Sequence, residues 1–339
     1  MKTRPLQNYN SSVGLEIYDI DWSCKEEIIE LGRLCASECI VFVDENIPIE
    51  TLHNTMSQWG DPSIALTHEY LVEKKLRGRH WRELLLYLAY FNRSTDSLAK
   101  AVSYSRSKTK PMFHTGELDW HSDQCALDDG QRIIALQSIS NTENSQTQFL
   151  CTHDAYESLS SDMQSMVREL VVKHKWIDEV MAPGLDETQA ILLRYNMVPL
   201  DGMETSLYSE TASGLSGMKI PSCTFDGFVG MSRNESDRIM NELKSKIYNQ
   251  NYVYTQNWKD GQAVFMDQEI TLHKRPTYLT TENKRSVARS IFHVNNLFDT
   301  KKSKRTTTIR YQRSSYNIGD FMKLVDEDRK KTYDGKKLV

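Results

Sequence analysis

The chain has 339 residues, of which 39% are hydrophobic and 26% charged, and its formal net charge is −4. This balance is typical of a folded protein and gives no global attraction for nucleic acid. Because no run of about 18 apolar residues exists and the first residues lack an apolar segment, we expect no membrane span and no secretory signal. Six scattered cysteines without a CxxC pair favour a reducing, cytoplasmic setting.

The N-terminal region predicts the order strand, helix, strand, helix. Residues 13–22 alternate apolar and polar side chains as a half-buried strand does, and residues 25–38 carry apolar side chains at helical spacing. Residues 39–45 are β-branched and aromatic, which is typical of a buried strand. Residues 49–61 return to helical spacing and stop at Gly60. We therefore expect this region to open a compact core.

A basic segment follows at residues 68–110, and its apolar spacing is mostly helical. Two interpretations stay open for this insertion. One is a pair of surface helices whose basic face is solvated. The other is a helical lid that contributes positive charge to a binding site.

The middle of the chain returns to short elements. Residues 132–140 predict a strand, and residues 145–160 predict a turn, a strand and a helix. Residues 160–176 predict a further helix with its N-cap at Ser160 or Ser161, because a serine hydroxyl can accept from the first free amides of a helix.

Mixed signals with several glycines and prolines fill residues 178–222, which we interpret as a long active-site loop. Ser232, followed by a glutamate three residues later, predicts the start of another helix. Strands are then predicted at residues 253–258, 262–268 and 286–294.

These elements predict an α+β fold in which short strands carry the polar clusters and helices pack outside them. The architecture that fits is a jelly roll, the cupin-like double-stranded β-helix, with flanking helices and the helical lid insertion. We assign residues 1–298 to a single domain. The lysine- and arginine-rich residues 299–339 form a C-terminal extension that is either solvated or a subunit contact, so a homodimer stays open.

A candidate metal site lies in the stretch GELDWHSDQ, residues 116–124. His121 and Asp123 are two residues apart, the spacing that puts side chains on one face of a strand. A metal site needs a third ligand, and among the other histidines His273, at the end of VFMDQEITLH, is the candidate that stands out. Two histidines and one carboxylate form the facial triad of non-haem Fe(II) oxygenases, which leaves metal positions open. The alternative for His121 and Asp123 is an exposed strand end with a local hydrogen bond.

Arg285 and Arg289 follow this histidine, four residues apart in a strand-like run. Even spacing on a strand puts both on one face, and arginine binds carboxylates through paired hydrogen bonds. The alternative is a pair of surface salt bridges.

Together these motifs resemble the taurine dioxygenase (TauD/TfdA) family of Fe(II)- and 2-oxoglutarate-dependent oxygenases. The matching residues are Trp120, His121, Ser122 and Asp123, then Thr147, then the segment 257–273 that ends at His273, then Arg285 and Arg289. With the N-terminal stretch, the resemblance covers about residues 13–296. The chain departs from the family in lacking two glycines before Thr147 and in having Gln268 where an asparagine is usual.

The resemblance implies that His121, Asp123 and His273 are iron ligands and therefore the catalytic residues. It implies Fe(II), 2-oxoglutarate and O₂ as cofactor and co-substrates. The reaction implied is oxidation of an unactivated C–H bond of a small polar or anionic molecule, of amino-acid, carboxylate or sulfonate type. The outcome is hydroxylation, or desaturation or oxidative cyclisation, with release of succinate and CO₂.

The same resemblance implies roles for three further residues. Thr147 and Arg285 would hold the distal carboxylate of 2-oxoglutarate. Arg289 would lie alongside, on the co-substrate or on an anionic group of the substrate. From their place in the same stretch as His121, we expect Glu117 and Leu118 to lie at the pocket mouth and contact the substrate.

Two other functions stay open at this point. A non-catalytic jelly-roll protein that binds or senses a ligand could retain the metal site, and a metal-dependent hydrolase could use the same His–Asp pair. In each case we expect a small-molecule partner and neither a nucleic acid nor a membrane.

Overall fold

The structure is a computed structural model that describes the chain from residue 1 to residue 298 with several gaps. The described residues are 1–62, 102–106 (backbone only), 118–123, 125–126, 130–143, 145–175, 203–221, 224–276 and 285–298. Within this part of the chain, no helix has the length and apolar character needed to cross a membrane.

The largest sheet has seven strands, most of them antiparallel to their neighbours. Its order is β1 (Lys2–Pro5), β2 (Leu15–Tyr18), β3 (Ile40–Val43), β14 (Ala263–Asp267), β6 (Arg132–Ser140), β16 (Ser286–His293) and β4 (Val102–Arg106). Only β2 and β3 run parallel among these described strands, because α1 crosses over between them.

A second sheet of four antiparallel strands faces the first. Its order is β13 (Val253–Asn257), β7 (Gln146–Cys151), β15 (Thr271–Arg275) and β5 (Leu118–His121). Two smaller sheets complete the described strands: β12 (Phe225–Phe228), β8 (Val171–His174) and β9 (Met203–Ser206) form one, and β10 (Tyr208–Glu210) and β11 (Ser216–Met218) form the other.

Five α-helices lie in the described residues: α1 (Lys25–Glu38), α2 (Ile49–Trp59), α3 (His153–Glu157), α4 (Ser161–Glu169) and α5 (Arg233–Ile247). The predicted caps of two helices are confirmed. The Ser160 hydroxyl accepts from the Met163 amide at 3.4 Å, and the Ser232 hydroxyl accepts from the Glu235 amide at 3.3 Å. Each hydroxyl therefore satisfies an amide that the first helical turn leaves free.

Strand alternation explains where the core lies. In β6, Ile134 and Leu136 pack between the two large sheets with Phe149 of β7. Ile133 and Ala135 point the other way and pack under α1 and α2. Since successive strand residues point to opposite faces, the large sheet is apolar on both sides and is covered on both. The inner layer between the sheets is the one that reaches the candidate site.

The structure corrects three predictions from the sequence. The helix predicted at 160–176 ends at Glu169, and Val171–His174 form strand β8 because they pair with β12 and β9 on either side. Val102–Arg106, assigned to a helical insertion, form strand β4 against β16. The predicted loop 178–222 contains β9, β10 and β11. The remainder of the lid, the first part of that loop and the C-terminal extension lie outside the described residues.

Candidate metal centre

Two adjacent strands bring His121 and His273 together. In the antiparallel pair β5–β15, His121 lies directly opposite His273, and the ring centroids are 4.0 Å apart. Directly opposed residues project from the same face of a sheet. Phe149 of β7 is opposite His273 on the other side and stacks on it, and this phenylalanine belongs to the core between the sheets. Both imidazoles therefore face the inner layer.

Asp123 joins them from a turn. Strand β5 ends at His121, so the expectation that both residues share one strand is wrong in that detail. The carboxylate still reaches the histidines: Oδ1 lies 3.9 Å from Nε2 of His121, and Oδ2 lies 4.0 Å from Nε2 of His273. One ligand atom from each of the three residues lies within 4.8 Å of the others. The three donors thus converge on a common point.

The hydrogen bonding of His121 suits metal binding. Its Nδ1 lies 2.7 Å from the carbonyl oxygen of Asp119. Because a carbonyl can only accept, Nδ1 carries the proton and donates, and the lone pair of Nε2 is left to face the cluster. A partner on the outer nitrogen that orients the ring is the usual arrangement for a metal-binding histidine.

Electrostatics favours the protonation states that a metal needs. Burial, reinforced by the neighbouring His121, lowers the pKa of His273 to about 3. Burial also lowers the pKa of His121. For Asp123, burial opposes ionisation, but the Arg289 guanidinium and the two imidazoles outweigh it and hold the pKa of the carboxyl below its usual range. Neutral imidazoles and a charged carboxylate are the forms that coordinate a cation.

Arg289 contacts the cluster directly. Its Nη1 lies 2.9 Å from Oδ2 of Asp123, and the arginine side chain is 27% exposed. On β16, Val287 and Ile291 flank Arg289 at a distance of two residues and lie in the core between the sheets. Alternation therefore turns Arg289 toward the same inner layer. The guanidinium therefore places a positive charge beside the three candidate ligands.

Thr147 and Arg285 are both buried, at 5% and 6% exposure. Thr147 precedes Phe149 by two residues on β7 and so shares its inward face. Its Oγ1 accepts a hydrogen bond of 2.9 Å from the indole nitrogen of Trp258. Arg285 comes just before β16, and a register shift between Ser286 and the next residue separates it from Arg289. Even spacing alone therefore does not fix the direction of Arg285.

Of the two residues expected at the pocket mouth, the structure describes only Leu118. Leu118 begins β5 opposite Arg275 and is partly exposed. Glu117 lies outside the described residues.

Two residues near the site had no predicted role. Trp258 donates to Thr147, and Gln268 contacts the turn that carries Asp123. The sequence contained a signal for Gln268 only as a departure from the family pattern. For Trp258 the signal was its place at the start of the segment that ends at His273.

A family model and several solved structures match this chain. The family model described as "Taurine catabolism dioxygenase TauD, TfdA family" matches residues 3–291. A taurine dioxygenase from Burkholderia xenovorans is similar in structure, with a TM-score of 0.60, 17% identity, and coverage of 86% of this chain and 88% of that one. AAD-2, solved in complex with Mn(II) and N-oxalylglycine, is similar with a TM-score of 0.62, 14% identity, and coverage of 86% and 96%. At these identities the two structures establish the fold.

Proposed function

Because the chain belongs to the taurine catabolism dioxygenase TauD, TfdA family, we propose that His121, Asp123 and His273 bind its iron. The chain is an Fe(II)- and 2-oxoglutarate-dependent dioxygenase, and it uses Fe(II), 2-oxoglutarate and O₂. The observation that carries the proposal is the convergence of two imidazole nitrogens and one carboxylate within 4.8 Å. Such a donor set suits Fe(II) and leaves positions open for co-substrates.

We assign the distal carboxylate of 2-oxoglutarate to Thr147 and Arg285. The burial of both side chains supports this, because a buried guanidinium binds a carboxylate strongly. The bond from Trp258 also supports it: with Oγ1 of Thr147 accepting from the indole, the threonine hydroxyl can donate its own proton to an anion.

The substrate we propose is small and polar or anionic, of amino-acid, carboxylate or sulfonate type. Arg289 supports this choice, because its positively charged guanidinium lies beside the candidate metal ligands and attracts anionic groups. We propose that Arg289 binds the co-substrate or an anionic group of the substrate. Glu117 and Leu118 are assigned to the pocket mouth.

Bound Fe(II) would supply the activation of O₂, with 2-oxoglutarate as the two-electron reductant that is released as succinate and CO₂. The chain's own residues bind and orient. Arg289 neutralises one oxygen of Asp123. Phe149 and its apolar neighbours keep water from the inner layer, where the substrate C–H bond would be oxidised. Hydroxylation and desaturation or cyclisation are both compatible with these residues.

The wider organisation belongs to the same proposal. Two largely antiparallel sheets facing each other across an apolar layer support a double-stranded β-helix core. We assign residues 1–298 to this single domain, with a lid within 68–110 and residues 299–339 as an extension. We also propose a small-molecule partner and a cytoplasmic location. A homodimer stays an open option.

The test is a titration of the anaerobic Fe(II) protein with 2-oxoglutarate. We expect a weak visible charge-transfer band, because the oxo-acid chelates the metal, and its absence in His121→Ala. A parent protein that shows no band, together with unchanged iron binding by His121→Ala, would contradict the proposal. Slow succinate release without any substrate separates an enzyme from a binding or sensor protein, and dependence on O₂ separates it from a hydrolase.

A further inference from the structure

We propose that Gln268 is a positioning residue that holds the Asp123 turn in the geometry the metal requires. This inference rests on the proposed metal site but concerns a residue outside the ligand set. Gln268 lies in the connection between β14 and β15, five residues before His273. It therefore links the parts of the chain that carry two of the three ligands.

Both the side chain and the backbone of Gln268 contact the turn. Its amide nitrogen Nε2 donates to the carbonyl oxygen of Asp123. Its own carbonyl oxygen accepts from the Ser122 hydroxyl at 3.0 Å. Two consecutive residues of the turn are thus held by one residue that is 145 or more positions away in the chain. A turn has no ladder of strand bonds, so such contacts decide where its carboxylate points.

Gln268 is itself held firmly. Its side chain is fully buried, and its backbone N–H donates to the carbonyl oxygen of Arg132 at 3.0 Å. It directly follows β14, which pairs with β3 and β6 in the middle of the seven-stranded sheet. The carboxylate of Asp267 accepts from the Glu269 amide at 2.8 Å and closes the turn that leads to β15. The contact to Asp123 is therefore made from a rigid point.

The functional consequence follows from the position of Asp123. The two histidines are placed by the register of β5 and β15, whereas Asp123 lies beyond the end of β5. Its carboxylate reaches the imidazoles only if the turn keeps its path. Outer hydrogen-bond partners that orient ligands typically change metal affinity by about 10- to 100-fold when they are removed.

The experiment measures Co(II) binding to the full chain by calorimetry, together with the visible spectrum of the Co(II) form. Gln268→Met keeps the length of the side chain but removes the amide donor. We expect the dissociation constant to rise about tenfold and the Co(II) bands to change at saturation, because the carboxylate is less well placed. Gln268→Asn retains an amide that is one methylene shorter, and we expect it to behave like Gln268→Met.

Gln137→Met is the matched control. Gln137 is 1% exposed, and its amide donates to the Ile47 carbonyl away from the three ligands. It should lose a buried hydrogen bond without changing Co(II) affinity or spectrum. Equal Co(II) binding by the parent, Gln268→Met and Gln137→Met would overturn this inference and leave the metal site standing. A parent that binds no Co(II) would overturn the metal site itself.

A separate variant keeps the test decisive if the substitutions at Gln268 prevent folding. Ser122→Ala removes only the bond to the Gln268 carbonyl oxygen. We expect a rise of about threefold in the Co(II) dissociation constant, near the low end for one hydrogen bond. Parent-like affinity and spectrum in Ser122→Ala would then overturn the inference.

Discussion

Two of the regions that bury histidine side chains surround the imidazole ring in opposite ways. His174, at the end of β8, is 3% exposed, and its two ring nitrogens each lie 2.8 Å from a hydroxyl, that of Thr224 on Nδ1 and that of Thr205 on Nε2. At the candidate metal centre, the Nε2 atoms of His121 and His273 lie 3.9 and 4.0 Å from a shared carboxylate, beyond hydrogen-bond reach.

A lowered histidine pKa does not by itself mark a metal site. Burial lowers the pKa of both His174 and His273 to about 3. A perturbed pKa therefore does not separate the structural histidine from the one we assign to metal. The difference lies in the ring nitrogens: hydroxyls lie beside both nitrogens of His174, whereas the Nε2 atoms of His121 and His273 converge on a point that a cation can fill.

The largest effect we expect comes from removing one of the converging rings. His273→Ala should raise the Co(II) dissociation constant by more than about 100-fold, since losing a direct ligand exceeds the 10- to 100-fold loss of an outer partner. His174→Leu is the matched variant. It should leave the Co(II) affinity unchanged but lower the free energy of unfolding by about 1–3 kcal/mol, because two buried hydroxyls lose their partner. Calorimetry and urea denaturation measure the two quantities.

A result in which His174→Leu weakens Co(II) binding as much as His273→Ala would remove the distinction between the two regions.

The second effect is a dependence of stability on pH that both regions share. The folded-state pKa of His174 is about 3 and the unfolded value is 6.5, so the unfolded chain binds more protons between these values. The contribution of neutral His174 to the free energy of unfolding is therefore fully present above pH 6.5 and is lost as the pH is lowered toward 3. Each such histidine contributes a slope of about 1.4 kcal/mol per pH unit within this window.

Urea denaturation of the metal-free protein between pH 4 and 6 should show that slope reduced by about 1.4 kcal/mol per pH unit in His174→Leu. Thr205→Val serves as the control, because it removes one hydroxyl partner but leaves the imidazole. It should lower stability at every pH in this range and keep the parent slope. A parent slope in His174→Leu would contradict the prediction.

The smallest effect concerns Thr147, whose hydroxyl is partly occupied. Trp258 uses one acceptor position of Oγ1, and the proposed co-substrate uses the hydroxyl proton. Trp258→Phe should raise the dissociation constant of 2-oxoglutarate about threefold to tenfold, the range for one net hydrogen bond, with Fe(II) affinity unchanged. Anaerobic titration measures both. Parent-like 2-oxoglutarate affinity in Trp258→Phe would show that the indole does not prepare this threonine.

The sequence predicted much of the fold because the local patterns agree with the tertiary structure. The helix predicted at 25–38 and the strand predicted at 132–140 have the observed bounds. The failures came where pairing overrides local pattern. Val171–His174 continue a helical spacing of apolar residues, yet their backbone groups pair with strands β12 and β9 on either side. Val102–Arg106 were assigned to a helix and instead form the edge of the seven-stranded sheet.

The grouping of the three candidate ligands was predictable from the sequence, whereas the contacts that support them were not. His121, Asp123 and His273 were found from the spacing of the first two and from a resemblance that linked the third. The contact between Arg289 and Asp123, and that between Gln268 and the same turn, join residues far apart in the chain. No periodicity encodes such contacts, because they depend on how two sheets and their turns pack.

Strand β5 lies at the edge of the four-stranded sheet and, in the order of described strands, has only β15 beside it. It is four residues long, and its register with β15 is interrupted by a shift. Amide hydrogens in such a strand exchange with solvent through local opening that costs little free energy. A cation bound by His121 and His273 would cross-link β5 to β15. Loading the site should therefore slow amide exchange in β5 far more than in the central strands β14 and β6.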